Sequence, residues 1–182
     1  YLIDVNPDNP LQYRYNDEWR DMTVHEEVIR FGDTEESVSI QIRETHFGPI
    51  INDNELDDDG NPTGFNNEDP IAMRWTANET GTIIDALFAL NQASNWDEFR
   101  EALTYWDTPA QNIVYADREG NIGYQMSGRL PVRREGWHGL TPQPGWDDTN
   151  DWRGFVEPHD LPREYNPERG FVLSANEDRN HL

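Results

Sequence analysis

Alternating apolar and polar residues predict two β-hairpins. In the stretch SVSIQIRETHFGPII, residues 37–51, Val38, Ile40 and Ile42 point one way and alternate with the polar Ser39, Gln41 and Arg43, which is the period of a strand with one buried face. The preceding stretch TVHEEVIRFG and the linking GDTEES complete a first antiparallel hairpin. Residues 110–134 form a second one, with two runs on either side of the turn DREGN, where Gly120 and Asn121 can adopt positive φ.

Two helices are predicted between the hairpins. In TGTIIDALFALNQA the apolar residues recur at helical spacing, and Thr80 or Thr82 stands at the N-cap position. In SNWDEFREALTYW, Asn95 is placed to cap the helix, acidic residues fill its first turn, and Pro109 ends the pattern.

The remaining short elements complete an α+β class. Residues 1–20 predict a strand or turn pair, PIAMRWTA a short buried strand, and RGFVLSANE a final strand. Strands outnumber helices, and the helices come as a pair between antiparallel hairpins. No flexible linker interrupts the pattern, so we expect residues 1–182 to form a single domain.

The charge is strongly acidic. The formal net charge is -22, from 36 acidic and 14 basic residues, and every basic residue is arginine. Such a surface repels itself at low salt and is screened at high salt, which favours a halophilic protein over an ordinary acidic one. It also disfavours nucleic acids and anionic membranes as partners. The compartment stays unknown, since a high-salt cytoplasm and export both fit.

Common cofactor and metal motifs do not fit. There is no cysteine, which excludes disulfides and thiol nucleophiles. An EF-hand register with Gly60 at position six puts Glu55 at position one and Asn66 at position twelve, and neither suits calcium. The five histidines lack the spacing of a zinc helix. We therefore expect neither a metal nor a cofactor.

Three tryptophans in one loop region leave a binding alternative open. Trp137, Trp146 and Trp152 lie among prolines, glycines and acidic residues. Exposed indoles beside acids suit carbohydrates, although tryptophans in long loops more often anchor the loop to the core. A carbohydrate-binding module and a segment with only a structural role are the two alternatives to an enzyme.

Several stretches, taken in order, resemble one family. They are NPDNPLQYRYNDEWRDM, RETHFGPII, MRWTA, LNQASNWDEFREAL, AQNIVYADREGNIGYQMSGRLPVRR and PQPGWDDTNDWRGFVEPHDLPREYNPERGFVLSAN. Together they resemble the β-chain of penicillin acylases, a family that includes cephalosporin and acyl-homoserine-lactone acylases. The resemblance spans the chain except for the acidic loop 52–69.

The resemblance implies an N-terminal nucleophile hydrolase with an αββα sandwich. In that family a serine whose free α-amino group acts as base attacks an amide, and water hydrolyses the acyl-enzyme. Because Tyr1 is not Ser, Thr or Cys, we expect an internal β-chain fragment that is inactive alone. Its expected partners are the α-chain, the remaining β-chain and a small acylated amine.

The resemblance also implies three site residues. Asn176 matches the oxyanion-hole asparagine that follows the YNP-x-x-G turn. Many relatives carry a second Asn after it, whereas this chain has Glu177. Gln111 and Leu87 match positions that line the acyl pocket, and a buried glutamine amide there would disfavour a purely apolar acyl group.

Overall fold

A computed structural model of the chain describes residues 1–32 and 36–176. Its internal contacts define two compact units. Unit 1 comprises Tyr1–Trp75 and Arg133–Asp151, and unit 2 comprises Thr76–Val132 and Trp152–Leu182. The expectation of a single domain stays a prediction.

Unit 1 contains two antiparallel sheets of three strands each. The first has the order β1–β2–β3 and the second the order β4–β5–β6. The strands are β1 Val5–Asn6, β2 Asn9–Tyr15, β3 Glu18–Asp21, β4 Thr23–Arg30, β5 Ser37–Thr45 and β6 Gly48–Pro49. Strands β4 and β5 pair over eight residues, from Thr23 opposite Glu44 to Arg30 opposite Ser37, which confirms the first predicted hairpin. The residues 33–35 of its predicted turn lie outside the described part of the chain.

Aromatic residues form the core of unit 1. The rings of Tyr1 and Phe47 stack with centroids 3.8 Å apart, and Trp137 meets Tyr1 edge-on at 5.5 Å. Further buried members are Ile3, Tyr13, Tyr15, Met22, Ile50 and Ala72. Large aromatic areas are thus removed from water, and this burial is the main stabilising contribution to the unit.

Unit 2 packs two helices and one sheet together. Helix α1 is Ile83–Gln92 and helix α2 is Trp96–Leu103. The sheet has the order β7–β8–β9, with β7 Gln111–Ala116, β8 Ile122–Ser127 and β9 Arg163–Tyr165, all antiparallel. The second hairpin and both helices are therefore confirmed, and so is the α+β class.

The two helix caps differ. Asn95 caps α2, because its side chain accepts a hydrogen bond of 3.0 Å from the backbone N–H of Glu98. Thr82 occupies the N-cap position of α1, but its side chain accepts no capping bond. Its hydroxyl instead donates to the carbonyl oxygen of Tyr105, which ties the start of α1 to the segment after α2.

Two predicted strands were wrong. Residues 170–176 form no strand, and the segment that pairs with β8 is β9, Arg163–Tyr165. The stretch PIAMRWTA makes only isolated bridges at Ile71 and Ala72. In the β7–β8 turn Gly120 has a positive φ of 91°, whereas Asn121 is absent from the positive-φ residues of the described chain.

No helix among the described residues has the length and apolarity needed to cross a bilayer.

Candidate functional site

The two faces of the β7–β8 hairpin have different roles. Strand alternation places Gly123, Gln125 and Ser127 on one face and Tyr124 with Asn112 on the other. Helix α2 covers the first face. A Cβ atom added to Gly123 would lie 2.5 Å from Cζ3 of Trp96 on α2, so only glycine allows the helix to approach this closely.

Polar side chains on the α2 face satisfy one another within unit 2. Nε of Arg100 donates to Oε1 of Gln125 at 3.1 Å, and Nε2 of Gln125 donates to the carbonyl of Met126 at 2.9 Å. The hydroxyl of Ser127 donates to the carbonyl of Gln111 at 3.4 Å. Burial lowers the pKa of Arg100. These groups have structural partners, so they do not by themselves indicate a ligand.

The opposite face carries a connected set of three side chains. The hydroxyl of Tyr124 donates to Oδ1 of Asn112 at 2.5 Å. Nδ2 of Asn112 in turn donates to Oδ1 of Asn176 at 3.1 Å. We call this set the Asn112 relay. It joins the hairpin to a residue 64 positions further along the chain.

Asn176 is held in an uncommon conformation. Its φ is 59°, in the left-handed region that Asn tolerates better than most residues. Its backbone N–H donates to Oγ of Ser174 at 3.4 Å. Within the described residues its Nδ2 donates no hydrogen bond, and the residue is exposed. The Nδ2 hydrogens are therefore available to a bound group.

The other two predicted site residues lie apart from the relay. Gln111 is exposed at the first position of β7 and, by strand alternation, on the face opposite Asn112. Leu87 lies on α1 and is 44% exposed. The structure therefore brings Asn176 to Asn112, and it leaves the pocket roles of Gln111 and Leu87 as predictions. Glu177 lies outside the described residues.

A groove of about 880 Å³ opens at the turn end of the hairpin. Trp96 forms its aromatic wall, stacked on Tyr165 at 4.9 Å and edge-on to Tyr115 at 5.3 Å. Asp117 accepts hydrogen bonds from Asn121 and Tyr115, and the Asn121 side chain is the main cause of its lowered pKa. Asn112 lies near the other end of the strand, so this groove and the relay are separate features.

The loop tryptophans do not favour carbohydrate binding. Trp137, Trp146 and Trp152 are each half-buried. Trp137 packs on the aromatic core of unit 1, and Trp152 meets Phe155 at 5.9 Å within unit 2. In the part of the chain that the structure describes, no three His, Asp or Glu side chains are grouped to hold a metal ion.

Comparison with known proteins gives a consistent result. The family model for penicillin amidase matches residues 1–181. An acyl-homoserine lactone acylase of Pseudomonas fluorescens is 34% identical over 169 residues, which are 93% of this chain and 20% of that protein. Penicillin G acylase of Escherichia coli is 27% identical over 180 residues, which are 94% of this chain and 19% of that protein.

The fold of the chain is similar to that of a penicillin acylase of known structure. A thermostable penicillin G acylase from Alcaligenes faecalis superimposes with a TM-score of 0.78 at 25% identity, covering 100% of this chain and 31% of that chain. The chain spans about a fifth of the length of the curated relatives named above. The extent of the family match and the similarity of the fold together show that the chain belongs to the penicillin amidase family.

Proposed function

We propose that the chain is a segment of an acylase that hydrolyses the amide bond of an acylated amine through an acyl-enzyme. Named relatives are acylases of two kinds, acting on acyl-homoserine lactone and penicillin G according to their names. The observation that carries the proposal is that Oδ1 of Asn176 accepts from Asn112, whereas its Nδ2 donates to no group among residues 1–32 and 36–176. An amide donor in this state suits a developing oxyanion.

The reaction places a specific demand on Asn176. When a nucleophile attacks an amide carbonyl, the oxygen gains negative charge and needs donors at about 2.7–3.1 Å. The Asn176 side chain is a neutral amide, so it can donate a hydrogen bond to the oxyanion without transferring a proton to it. In this proposal it stabilises the tetrahedral intermediate, and the nucleophile and its base come from another part of the acylase.

The 182 residues are proposed to be inactive alone. They correspond to about a fifth of the length of their relatives, so most of the polypeptide that would build a substrate pocket lies elsewhere. Incubating the chain alone with phenylacetyl and long-chain acyl amides should give no turnover. Steady hydrolysis that a serine substitution within this chain abolishes would contradict this part of the proposal.

Substitution of Asn176 in the complete acylase tests the oxyanion role. Asn176→Ala should lower kcat by about 10²–10³-fold. Asn176→Gly is the matched variant, because glycine adopts positive φ without steric cost and isolates the loss of the amide. If both variants keep the kcat of the unaltered enzyme, Asn176 is not an oxyanion donor.

Gln111 and Leu87 are proposed to contact the acyl group. Both are exposed in this structure, and the resemblance to the family supports their roles. Leu87→Ala should lower kcat/KM for substrates with an apolar acyl group, because it removes contact area. Gln111→Leu should raise kcat/KM for the same substrates, because it removes an amide that needs a hydrogen-bond partner. The ratio of kcat/KM values for an apolar and a polar acyl group measures both effects.

A further inference from the structure

We propose that Asn112, held by Tyr124, is a positioning residue that orients the side-chain amide of Asn176. This inference rests on the proposed oxyanion role and goes further, because it assigns a function to a side chain that does not itself contact the reacting atoms. The relay of hydrogen bonds from Tyr124 through Asn112 to Asn176 supports it.

The direction of the relay decides which end of the Asn176 amide faces outward. A carboxamide has an acceptor oxygen on one side and an NH₂ donor on the other. The Tyr124 hydroxyl donates to Oδ1 of Asn112, so the NH₂ group of Asn112 faces Asn176. An NH₂ group only donates, and Oδ1 of Asn176 must therefore face it. The NH₂ group of Asn176 then points away, toward any group bound beside it.

Without this contact the Asn176 amide would lack a fixed orientation. The terminal torsion of an asparagine is broad, and Asn176 is exposed outside any strand or helix. A reversed amide would present its oxygen to the developing oxyanion and would repel it. An oxyanion donor is effective only if it is oriented before the reaction, which is the function we assign to Asn112.

Tyr124 and the hairpin make Asn112 a rigid support. Asn112 lies on β7 opposite Met126, and Tyr124 lies two residues away on the same face of β8. The Tyr124 side chain is only 2% exposed. Side chains on paired strands hold a site more accurately than loop residues do. The fixed position of Asn112 on the sheet therefore limits the orientations of the exposed Asn176 amide.

Asn112→Asp in the complete, processed acylase is the main test. The aspartate keeps the shape of Asn112 and still accepts the Tyr124 hydrogen bond, but its ionised form presents only acceptors to Asn176. The Asn176 amide should then turn its NH₂ group toward the carboxylate. We expect kcat to fall by about 10²-fold, close to the effect of losing one oxyanion donor, while KM stays within about twofold.

A double variant distinguishes positioning from a general structural role. In the Asn176→Gly background, Asn112→Asp should cause no further loss of kcat, because there is no amide left to orient. Independent losses that multiply would overturn the proposal, and so would an unchanged kcat in Asn112→Asp. If Asn176→Gly itself keeps full activity, the oxyanion role fails, and the positioning role fails with it.

Two further variants complete the design. Tyr124→Phe removes the hydroxyl that fixes Asn112, so kcat should fall and this loss should also vanish in the Asn176→Gly background. It provides an independent readout if Asn112→Asp does not fold. Asn78→Asp makes the same charge change at an exposed position of a short 3₁₀ helix and should leave kcat unchanged. A loss in Asn78→Asp equal to that in Asn112→Asp would attribute the effect to charge alone.

Discussion

The guanidinium of Arg43 forms a buried bidentate ion pair with Asp53. Nε donates to Oδ2 at 2.8 Å and Nη2 donates to Oδ1 at 2.7 Å. The other N–H groups donate to the carbonyls of Pro10 and Asn66 and to Oδ1 of Asn67. All five donors of the side chain are thus used, and the two charged side chains are 0% and 1% exposed. This cluster fastens the acidic loop to strand β5.

Replacing Arg43 should therefore destabilise unit 1 strongly. Arg43→Met leaves the Asp53 carboxylate buried without its partner, and we expect a loss of about 3–5 kcal/mol in the free energy of unfolding. Arg43→Lys keeps the charge but lacks the planar fork, so it should also destabilise. Urea denaturation at high salt measures the changes. The double variant Arg43→Met/Asp53→Leu is the control and should recover part of the loss, because no charge is left unpaired.

Gly123→Ala should destabilise unit 2 by about 1–3 kcal/mol, which is the usual cost of overpacking. The added methyl group would lie 2.5 Å from Cζ3 of Trp96, so either α2 or the indole must move. Thermal unfolding of Gly123→Ala, Trp96→Phe and the double variant measures the coupling. The smaller phenyl ring should reduce the cost of the alanine, and equal costs in both backgrounds would contradict the contact.

We expect the chain to lose stability in mild acid because the pKa of His46 is lowered. Burial and the nearby Arg20 and Arg74 lower its pKa from 6.5 to about 4, although Asp151 opposes the shift. Its Nδ1 shares a 2.9 Å hydrogen bond with the hydroxyl of Tyr13. The unfolded chain takes up the proton first as the pH falls, so this contribution to stability is intact above pH 6.5 and is lost between about pH 6.5 and 4.

Melting temperatures across this pH range test the role of His46. The exposed part of the ring reduces the size of the effect, so the direction of the change is the quantity to compare. His46→Asn retains an acceptor near the position of Nδ1 but does not titrate. Its melting temperature should fall less steeply with acid than that of the unaltered chain. Parallel pH profiles would remove His46 as a cause of acid sensitivity.

Salt should stabilise the chain. A net charge of -22 without lysine makes carboxylate repulsion a large unfavourable contribution. The Debye length falls from about 10 Å at 0.1 M to about 3 Å at 1 M, which screens most of it. We expect the melting temperature to rise between 0.1 M and 2 M sodium chloride, and to rise less in sucrose at matched water activity. Equal melting at both salt concentrations would leave the halophilic interpretation without support.

The local elements of this protein follow from the sequence. Period-2 alternation predicts the β4–β5 and β7–β8 hairpins, and Asn95 followed by acidic residues predicts the start of α2. These features depend on interactions between residues close in the chain, such as the Asn95 cap and the turn at Gly120. A reader of the sequence can therefore place them without a structure.

The strand predicted for RGFVLSANE shows where local sequence pattern is not enough to predict structure. RGFVLSANE has the composition of a strand, yet residues 170–176 form none, and Arg163–Tyr165 pairs with β8 instead. A strand requires a partner to pair with, and in the described part of the chain it is Arg163–Tyr165 that pairs with β8. The sequence pattern contains no information on which of two neighbouring segments pairs with β8.

Arg43 and Asn176 show which properties of a side chain the sequence predicts and which only the tertiary structure determines. Alternation correctly puts Arg43 on the polar face of β5, but only the acidic loop folded over Arg43 makes this side chain buried. Family resemblance points to Asn176, but only the fold brings Asn112 to it across 64 positions. Hydrogen bonds over such separations form because packing brings distant segments together, and no local periodicity records which side chains will meet.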